Sequence, residues 1–485
     1  MQRKFLTNLI LLLTLNLLIK PFWILGIDRN VQNIVGAADY GFYFAIFNFS
    51  FLFNILLDFG ITNFNNKNIA QNNHLLNKHF SSIVILKLLL AGVFGIITFS
   101  FGLLVGYNGH QLSMLAWMVF NQFLISFVLY LRSNISGLLL FKTDSIVSVL
   151  DRSLMIIFCS ILIWGNVTTE RLQIEWFIYA QTAAYLITAI IAFIIVMRKS
   201  SFSKLNWNKP FFVMIIKQSF PFAILALLMT FYNRIDSVML ERLLPNTQGD
   251  EQAGIYASSY RLLDATNMIA YLFAVLLLPL FSKMLKNKEE IVHIVKLSFK
   301  LLITLALIVG IGSYFYSYEI MGLLYKNHVN ESAEVFKWLM MGFIPVSTTY
   351  VFGTLLTANG NLKELNFIAA TGMLLNISLN FILIPRLEAV GSAYSSIITQ
   401  FLSAIVQVIF AQIVFKFKVD YKFIFSILAF GIGVVLINLF SKHFIETNWI
   451  YNFAGMVIMS VVLASFLRLL NFKSLINLIV KKEQK

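Results

Sequence analysis

Charged residues are scarce in this chain: they make up 12% of the 485 residues, whereas apolar residues make up 59%. A soluble protein could not bury so large an apolar fraction, so that class is excluded. Apolar runs of about 18 residues or more, enough to cross a bilayer core of roughly 30 Å as a helix, recur from Phe5 to Leu470. The composition therefore predicts a polytopic membrane protein.

Several features of enzymes and pumps are missing as well. Cys159 is the only cysteine and lies in an apolar run, which excludes disulfides and thiolate metal sites. The longest connections between the runs, residues 63–80, 198–210 and 282–296, are too short for an independent domain. A P-loop pattern is absent, so the chain on its own is not a nucleotide-driven pump. We expect no enzyme activity, no cofactor and no metal site.

The apolar runs predict an all-α fold with about fourteen spanning helices, because they lack the two-residue alternation of membrane β-strands. The predicted spans are Phe5–Ile27, Tyr40–Thr62, Ser81–Gly106, Leu112–Leu131, Ser145–Trp164, Trp176–Met197, Phe220–Leu240, Ile255–Phe281, Leu297–Phe315, Val335–Leu356, Leu365–Pro385, Ser392–Phe415, Phe423–Phe440 and Trp449–Leu470.

Lysine and arginine are distributed unevenly among the loops. When the N-terminus is placed inside, the outer loops hold only Arg29, Arg171, Lys326, Arg386 and Lys442. Because positive charge is retained on the cytoplasmic side during insertion, both termini are predicted to be cytoplasmic. The net charge of +15 suits an anionic inner leaflet and does not require nucleic acid. We predict a multi-pass protein of the cytoplasmic (inner) membrane, with membrane lipids and no nucleic acid among its partners.

A short internal repeat organises the spans. GAADYGFY at residues 36–43 and GDEQAGIY at residues 249–256 share the pattern of Gly, four residues, Gly, one residue and Tyr. Both follow an outer loop, and six spans separate them, which favours two parallel six-helix lobes. The glycines suit a tight turn into a helix. The predicted division is a lobe at 1–197, a basic cytoplasmic linker at 198–210, a second lobe at 211–416, and two extra helices with a basic tail at 417–485.

Some basic residues lie inside predicted spans. An Arg or Lys at the centre of a spanning helix costs roughly 2.5–3.5 kcal/mol on insertion scales, so such residues usually face a partner or a wet cavity. Lys20, Arg234 and Arg261 lie deep in the bilayer or in its outer half. Lys87 and Arg152 lie nearer the cytoplasm and within reach of it along their own helices, so structural and functional roles both stay open for them.

Polar residues recur on the faces of two spans. The stripe in the eighth span comprises Tyr260, Asp264, Asn267 and Tyr271 beside Arg261, and the thinner stripe in the second span comprises Tyr43, Ser50, Asn54 and Asp58. Arg234 and Asp236 are two residues apart, on nearly opposite helical faces, so they cannot neutralise each other directly. We expect these groups to line a hydrated, positively charged cavity between the lobes. Internal ion pairs, Arg261–Asp264 or Arg234–Asp264, are the alternative.

Three stretches together resemble a known family. They are GAADYGFY…LLDFGI in the second span, RIDSVML…GIYASSYRL…LLLPLFSKML across the seventh and eighth, and NISLNFILIPRLEAVGSAY at Asn376–Tyr394. They are similar to the polysaccharide-transport branch of the multidrug/oligosaccharidyl-lipid/polysaccharide exporter superfamily, which includes bacterial O-antigen and lipid-linked oligosaccharide flippases. The resemblance covers nearly the whole chain. Glu388 departs from the pattern, because it stands where that family commonly has glycine.

The resemblance implies translocation of an undecaprenyl-pyrophosphate-linked oligosaccharide by alternating access, with a polysaccharide polymerase as a candidate partner. The candidate substrate-binding residues are Lys20, Arg234, Arg261, Tyr256, Tyr260 and Asn267, and the candidate coupling or charge-pair residues are Asp236, Asp264 and Asp58. The basic residues would receive the diphosphate head group, since the planar fork of arginine suits phosphate oxygens. The tyrosines would stack on sugar rings or pack between helices.

Two other classes of protein stay open. A cation-coupled multidrug or metabolite exporter of the same fold would share this topology, although the basic bias of the deep charges argues against it. A membrane glycosyltransferase or polysaccharide polymerase would carry a long outer loop with acidic or arginine-rich catalytic groups, and the sequence has none.

Overall fold

The computed structural model describes residues 14–16, 18–62, 65–66, 69, 74–138, 140–165, 172–200, 207–444 and 448–470. The helices among them are α1 (Arg29–Val35), α2 (Ala37–Leu52), α3 (Leu75–Leu104), α4 (Gly109–Gly137), α5 (Phe141–Trp164), α6 (Ile174–Met197), α7 (Lys209–Leu243), α8 (Asn246–Lys286), α9 (Val292–Phe315), α10 (Ser317–Leu324), α11 (Val329–Met341), α12 (Phe343–Ala358), α13 (Leu362–Phe415), α14 (Tyr421–Phe444) and α15 (Trp449–Phe466). The predicted all-α fold is confirmed.

Eleven helical segments within these described ranges are long and apolar enough to cross a membrane. They are α3 to α9, the consecutive pair α11 and α12, and α13 to α15. Helix α13 contains two of the predicted spans, because Glu388 interrupts it with non-helical backbone angles (φ 53°, ψ −134°). The first predicted span begins outside the described residues. The predicted polytopic architecture is confirmed.

The helix of the first span continues past its predicted end at Ile27. A π-helical turn, Trp23–Asp28, leads directly into α1. Asp28 was expected to lie in a loop, but it is buried, and its carboxylate accepts a hydrogen bond of 2.7 Å from the Tyr40 hydroxyl. One oxygen of this buried carboxylate is therefore hydrogen-bonded, and the helix continues through Asp28 into α1. The chain turns only at Gly36, whose φ of 96° favours glycine.

The second predicted span, Tyr40–Thr62, is not one continuous helix. Helix α2 ends at Leu52, and a 3₁₀ turn, Asn54–Leu57, follows it. Phe59 and Gly60 then adopt positive φ values of 43° and 80°. The prediction of a continuous span was wrong here, because after Leu52 the backbone forms the tighter hydrogen bonds of a 3₁₀ turn, such as Leu56 N–H to the Phe53 carbonyl.

The chain forms two compact units, residues 1–257 and 258–485, and the boundary falls inside α8. Each unit has its own apolar core. The core of the first includes Phe80 and Tyr130, and the core of the second includes Ile308 and Phe430. The division into lobes at 1–197 and 211–416 stays a prediction.

Within the first unit, α2 and the start of α8 meet at the repeated glycines. A Cβ atom on Gly41 would lie 1.8 Å from the carbonyl oxygen of Asp250, and one on Gly254 would lie 1.9 Å from that of Ala37. When Gly41 is aligned with Gly254 in the repeat, Ala37 aligns with Asp250, so the contact is reciprocal. Only glycine permits this approach of the two backbones.

Candidate functional site

The interrupted end of α2 surrounds the ammonium group of Lys87. Lys87 lies on α3 and is 1% exposed. Its Nζ atom donates hydrogen bonds to the Leu57 carbonyl at 2.9 Å, to Asp58 Oδ1 at 2.5 Å and to Ser126 Oγ at 3.1 Å. An ammonium group has three donors, so this one is fully hydrogen-bonded. Because α2 is interrupted, the Leu57 carbonyl accepts a hydrogen bond from a side-chain cation on a predicted membrane-spanning helix.

The same segment makes a second polar contact one helical turn away. Asn54 Nδ2 donates to Gln122 Oε1 at 2.6 Å, and Gln122 is fully buried four residues before Ser126 on α4. Asp58 Oδ1, which accepts from Lys87, also accepts a hydrogen bond of 3.2 Å from the backbone N–H of Thr62. Asp58 was predicted as a charge-pair or coupling residue, and the structure pairs it with Lys87, whose role the sequence left open.

Two of the predicted site residues contact each other on α7 and α8. Asp236 and Tyr256 are each 1% exposed, and the Tyr256 hydroxyl donates to Asp236 Oδ2 at 2.7 Å. On the next residue of α7, Ser237 Oγ accepts from Asn48 Nδ2 at 2.9 Å. These bonds join α2, α7 and α8 inside the first unit.

Arg234 is half-buried on α7, and its guanidinium carbon lies 5.3 Å from the centre of the Phe51 ring. A cation over an aromatic face is attracted by the ring quadrupole. The Phe51 ring also holds the guanidinium at the end of α2 where the interruption begins. Arg234 and Asp236 thus contact different neighbours, as their positions on the helix require.

Lys20 lies in the helical segment before the π-helical turn, and it forms a basic cluster with Arg152 of α5. It is half-buried and interacts electrostatically with Arg152 and Asp151. The Arg152 guanidinium lies 5.5 Å from the Trp23 ring and 5.8 Å from the Tyr185 ring, and its Nε atom is 3.8 Å from Asp151 Oδ2. Two cations and one carboxylate leave an excess of positive charge here, which suits an anionic group. The sequence identified Lys20 and left Arg152 undecided.

A further charged cluster lies at the end of α7. The buried carboxylate of Glu241 forms an ion pair with Arg242 and accepts a hydrogen bond of 2.6 Å from Gln111 Nε2. The Arg242 guanidinium carbon lies 4.6 Å from the centre of the Tyr107 ring. Burial, and then the carboxylate of Glu241, raises the pKa of the Tyr107 phenol well above its ordinary value. The cluster fastens α4 and α7 to the loop after α3.

In the second unit, the residues of the predicted stripe on α8 differ in exposure, and Tyr271 is 53% exposed. Tyr260 is buried, whereas Arg261, Asp264 and Asn267 are half-buried. The Oδ1 atom of Asn267 is buried and has no hydrogen-bond partner among the described residues. A buried acceptor of this kind is uncommon in folded proteins.

The second unit also contains a cavity of about 720 Å³ that the sequence did not indicate. Helices α9, α12, α13 and α14 line it with apolar side chains, and Lys296, Lys418, Lys422 and Asp420 lie at its polar side. Lys296 forms an ion pair with Asp420. The hydrogen bond from Lys296 holds the pKa of the Asp420 carboxyl below its ordinary value.

Comparison with models of protein families shows the family to which the chain belongs. The model of a family described as polysaccharide biosynthesis protein matches residues 5–285, more than half of the sequence. The chain belongs to the polysaccharide biosynthesis protein family. This membership confirms the resemblance seen in the sequence. No curated protein sequence matches the chain.

Solved structures share the fold over most of the chain. The lipid II flippase MurJ in an inward closed conformation aligns with a TM-score of 0.70 and 14% identity, covering 96% of this chain and 100% of MurJ. A multidrug resistance MATE transporter in an inward-facing conformation aligns with a TM-score of 0.60 and 14% identity. The alignment covers 82% of this chain and 94% of the MATE transporter. A transporter of the MOP superfamily from Pyrococcus furiosus aligns with a TM-score of 0.57 and 13% identity. The alignment covers 84% of this chain and 93% of that transporter. This family member therefore has the fold of that superfamily.

Proposed function

We propose that this protein is a flippase that moves an undecaprenyl-pyrophosphate-linked oligosaccharide across the cytoplasmic membrane by alternating access, for cell-surface polysaccharide biosynthesis. The observation that carries the proposal is membership of a polysaccharide biosynthesis family together with a flippase fold along almost the whole chain. The coverage also supports a flippase over a drug exporter. MurJ aligns with 96% of the chain and the MATE transporter with 82%, a difference of about the size of the segment 417–485.

The basic residues inside the helices support an anionic head group as the part of the cargo that is recognised. Lys20 lies in a cluster with Arg152, and Arg234 is half-buried over Phe51. An arginine in this position can present two parallel N–H groups to phosphate oxygens. Arg261, which is half-buried on α8, is a further candidate for contact with the head group. Lipid-linked oligosaccharide delivered to the outer leaflet would then be the substrate of a polysaccharide polymerase.

The test is deletion of the gene followed by analysis of surface glycan and of lipid-linked sugars. We expect loss of the surface polysaccharide and accumulation of its lipid-linked precursor, both restored by the wild-type gene. R234A and R261A should fail to restore export although each protein reaches the membrane, and R234K should restore it only in part, because a point charge does not reproduce a two-bond contact. K337A, which removes a cation that pairs with Glu334 near the surface, is the matched control. Normal glycan in the deletion strain, with altered drug resistance instead, would contradict the proposal and favour the exporter.

A further inference from the structure

The oxygen atoms around Lys87 are of the chemical types that also coordinate monovalent cations. A backbone carbonyl, a carboxylate and a hydroxyl converge on one point, from Leu57, Asp58 and Ser126. Carbonyl groups released by a broken membrane helix are a recurrent source of ligands for sodium ions in transporters. Such oxygens replace the hydration shell of the ion.

The ammonium group and the hydroxyl group lie inside the packed helices, whereas the Asp58 side chain is 26% exposed. Lys87 and Ser126 are 1% and 4% exposed, and the Ser126 hydroxyl also donates to the Leu57 carbonyl at 3.2 Å. The broken segment between Leu52 and Thr62 holds the carbonyl and the carboxylate on adjacent residues. A buried cation needs this many partners, because an uncompensated charge in the membrane is costly.

We propose that the Leu57 carbonyl, the Asp58 carboxylate and the Ser126 hydroxyl form a site for a monovalent cation, and that Lys87 fills it with its own ammonium group. Because this cation is covalently attached, it cannot be exchanged with the solution on either side of the membrane. The first unit therefore needs no free sodium or potassium ion at this position to hold its broken helix, and an exchangeable coupling ion has to bind elsewhere. The inference does not depend on the cargo and goes beyond the proposed function.

The experiment removes the Lys87 ammonium group by substitution and supplies sodium or potassium ions in solution. The variant K87A deletes the ammonium and leaves space beside the three oxygens, whereas K87M deletes the charge and fills the space with an apolar chain. Thermal unfolding of each purified full-length protein is followed by intrinsic fluorescence in NaCl, in KCl and in N-methylglucamine chloride at equal ionic strength. Wild type should unfold at the same temperature in all three salts.

We expect K87A to unfold more than about 5 °C below wild type in N-methylglucamine chloride. A bound ion stabilises the folded state according to its concentration and dissociation constant, so NaCl or KCl should restore at least half of this loss in K87A. K87M should show no such recovery. The double variant K87A/D58N should lose the response, because it lacks the carboxylate. K300A, which removes a half-buried lysine from α9, is the control for a general effect of salt.

Equal unfolding temperatures of K87A in the three salts would overturn the proposal, as would a specific sodium or potassium response of the wild type that D58N abolishes. If K87A gives no folded protein in any salt while K87A/D58N does fold, a free cation cannot replace the ammonium, and the proposal is overturned as well. Each of these readings is independent of transport, so the flippase function can stand or fall separately.

Discussion

The two ends of helix α2 are held by different kinds of interaction. Near its start, Gly41 brings the backbone of α2 against that of α8, with no side chain between them. Beyond its other end, Leu57 and Asp58 are joined to Lys87 through hydrogen bonds and charge. The first contact tolerates no larger residue, because backbone atoms cannot move aside. The second depends on an ammonium group that another cation could replace. Steric fit thus fixes one end of the helix, and electrostatics holds the other.

The largest effect is expected from K87M, which breaks the electrostatic end. Methionine keeps most of the volume but removes the ammonium group that neutralises the Asp58 carboxylate and donates to the Leu57 carbonyl. Removing one partner of a fully buried ion pair costs about 3–5 kcal/mol. Because the Asp58 side chain is 26% exposed, we expect a loss at the lower end of this range, measured as a fall in the thermal unfolding temperature of the purified protein. K87M/D58L, which removes both charges, should recover much of the loss. An unchanged unfolding temperature in K87M would show that the ion pair does not hold this end.

A somewhat smaller loss is expected from G41A, which tests the steric end. The new Cβ would lie 1.8 Å from the Asp250 carbonyl oxygen, so the two helices must separate. Overpacking of this kind costs about 1–3 kcal/mol, and G254A should behave alike because the contact is reciprocal. The measurement is again the thermal unfolding temperature. G92A is the control, since no described atom lies within 4 Å of its Cβ position and alanine is favoured in a helix. A normal unfolding temperature in both G41A and G254A would contradict the close backbone contact.

A moderate effect is expected from N54A, which removes a neutral bond beside the ion pair. Gln122 would lose the donor that its Oε1 atom accepts at 2.6 Å. Leaving such a buried group unsatisfied costs about 1–3 kcal/mol, less than loss of the charged partner. The double variant N54A/Q122L should be more stable than N54A, because it buries no unsatisfied amide. Loss of stability as large as that of K87M would mean that charge is not the main contribution.

The smallest effect, and a gain, is expected from E388G. The break in α13 has a half-buried glutamate at φ 53°, a conformation that favours glycine. Relief of this strain should exceed the added flexibility of the unfolded chain and stabilise the protein by about 1 kcal/mol. E388A keeps the strain and serves as the control. Equal unfolding temperatures of E388G and E388A would show that the backbone there is relaxed. If E388G stabilises the protein and K87M destabilises it, the break in α13 is a simple turn, whereas the break after α2 holds a specific interaction.

Sequence reasoning located the important charges better than their partners. Arg234, Asp236 and Asp58 were identified because charges inside apolar runs are expensive. The resemblance also marked Glu388 as standing where the family commonly has glycine, and the backbone there has a positive φ of 53°, which favours glycine. It could not join Asp58 to Lys87, which are 29 residues apart. Nor could it join Tyr256 to Asp236, because such pairs depend on which faces of neighbouring helices meet.

Composition and hydropathy were sufficient to establish an all-helical, multi-pass membrane protein, because the bilayer imposes a length and an apolar character that can be recognised in any sequence. Packing in three dimensions was required to show that α2 is broken, that Gly41 meets Gly254 and that Lys87 occupies a set of oxygen ligands. The reason is physical: bilayer insertion responds to residue type averaged over a helix, whereas a cation site depends on single atoms from segments that are distant in sequence.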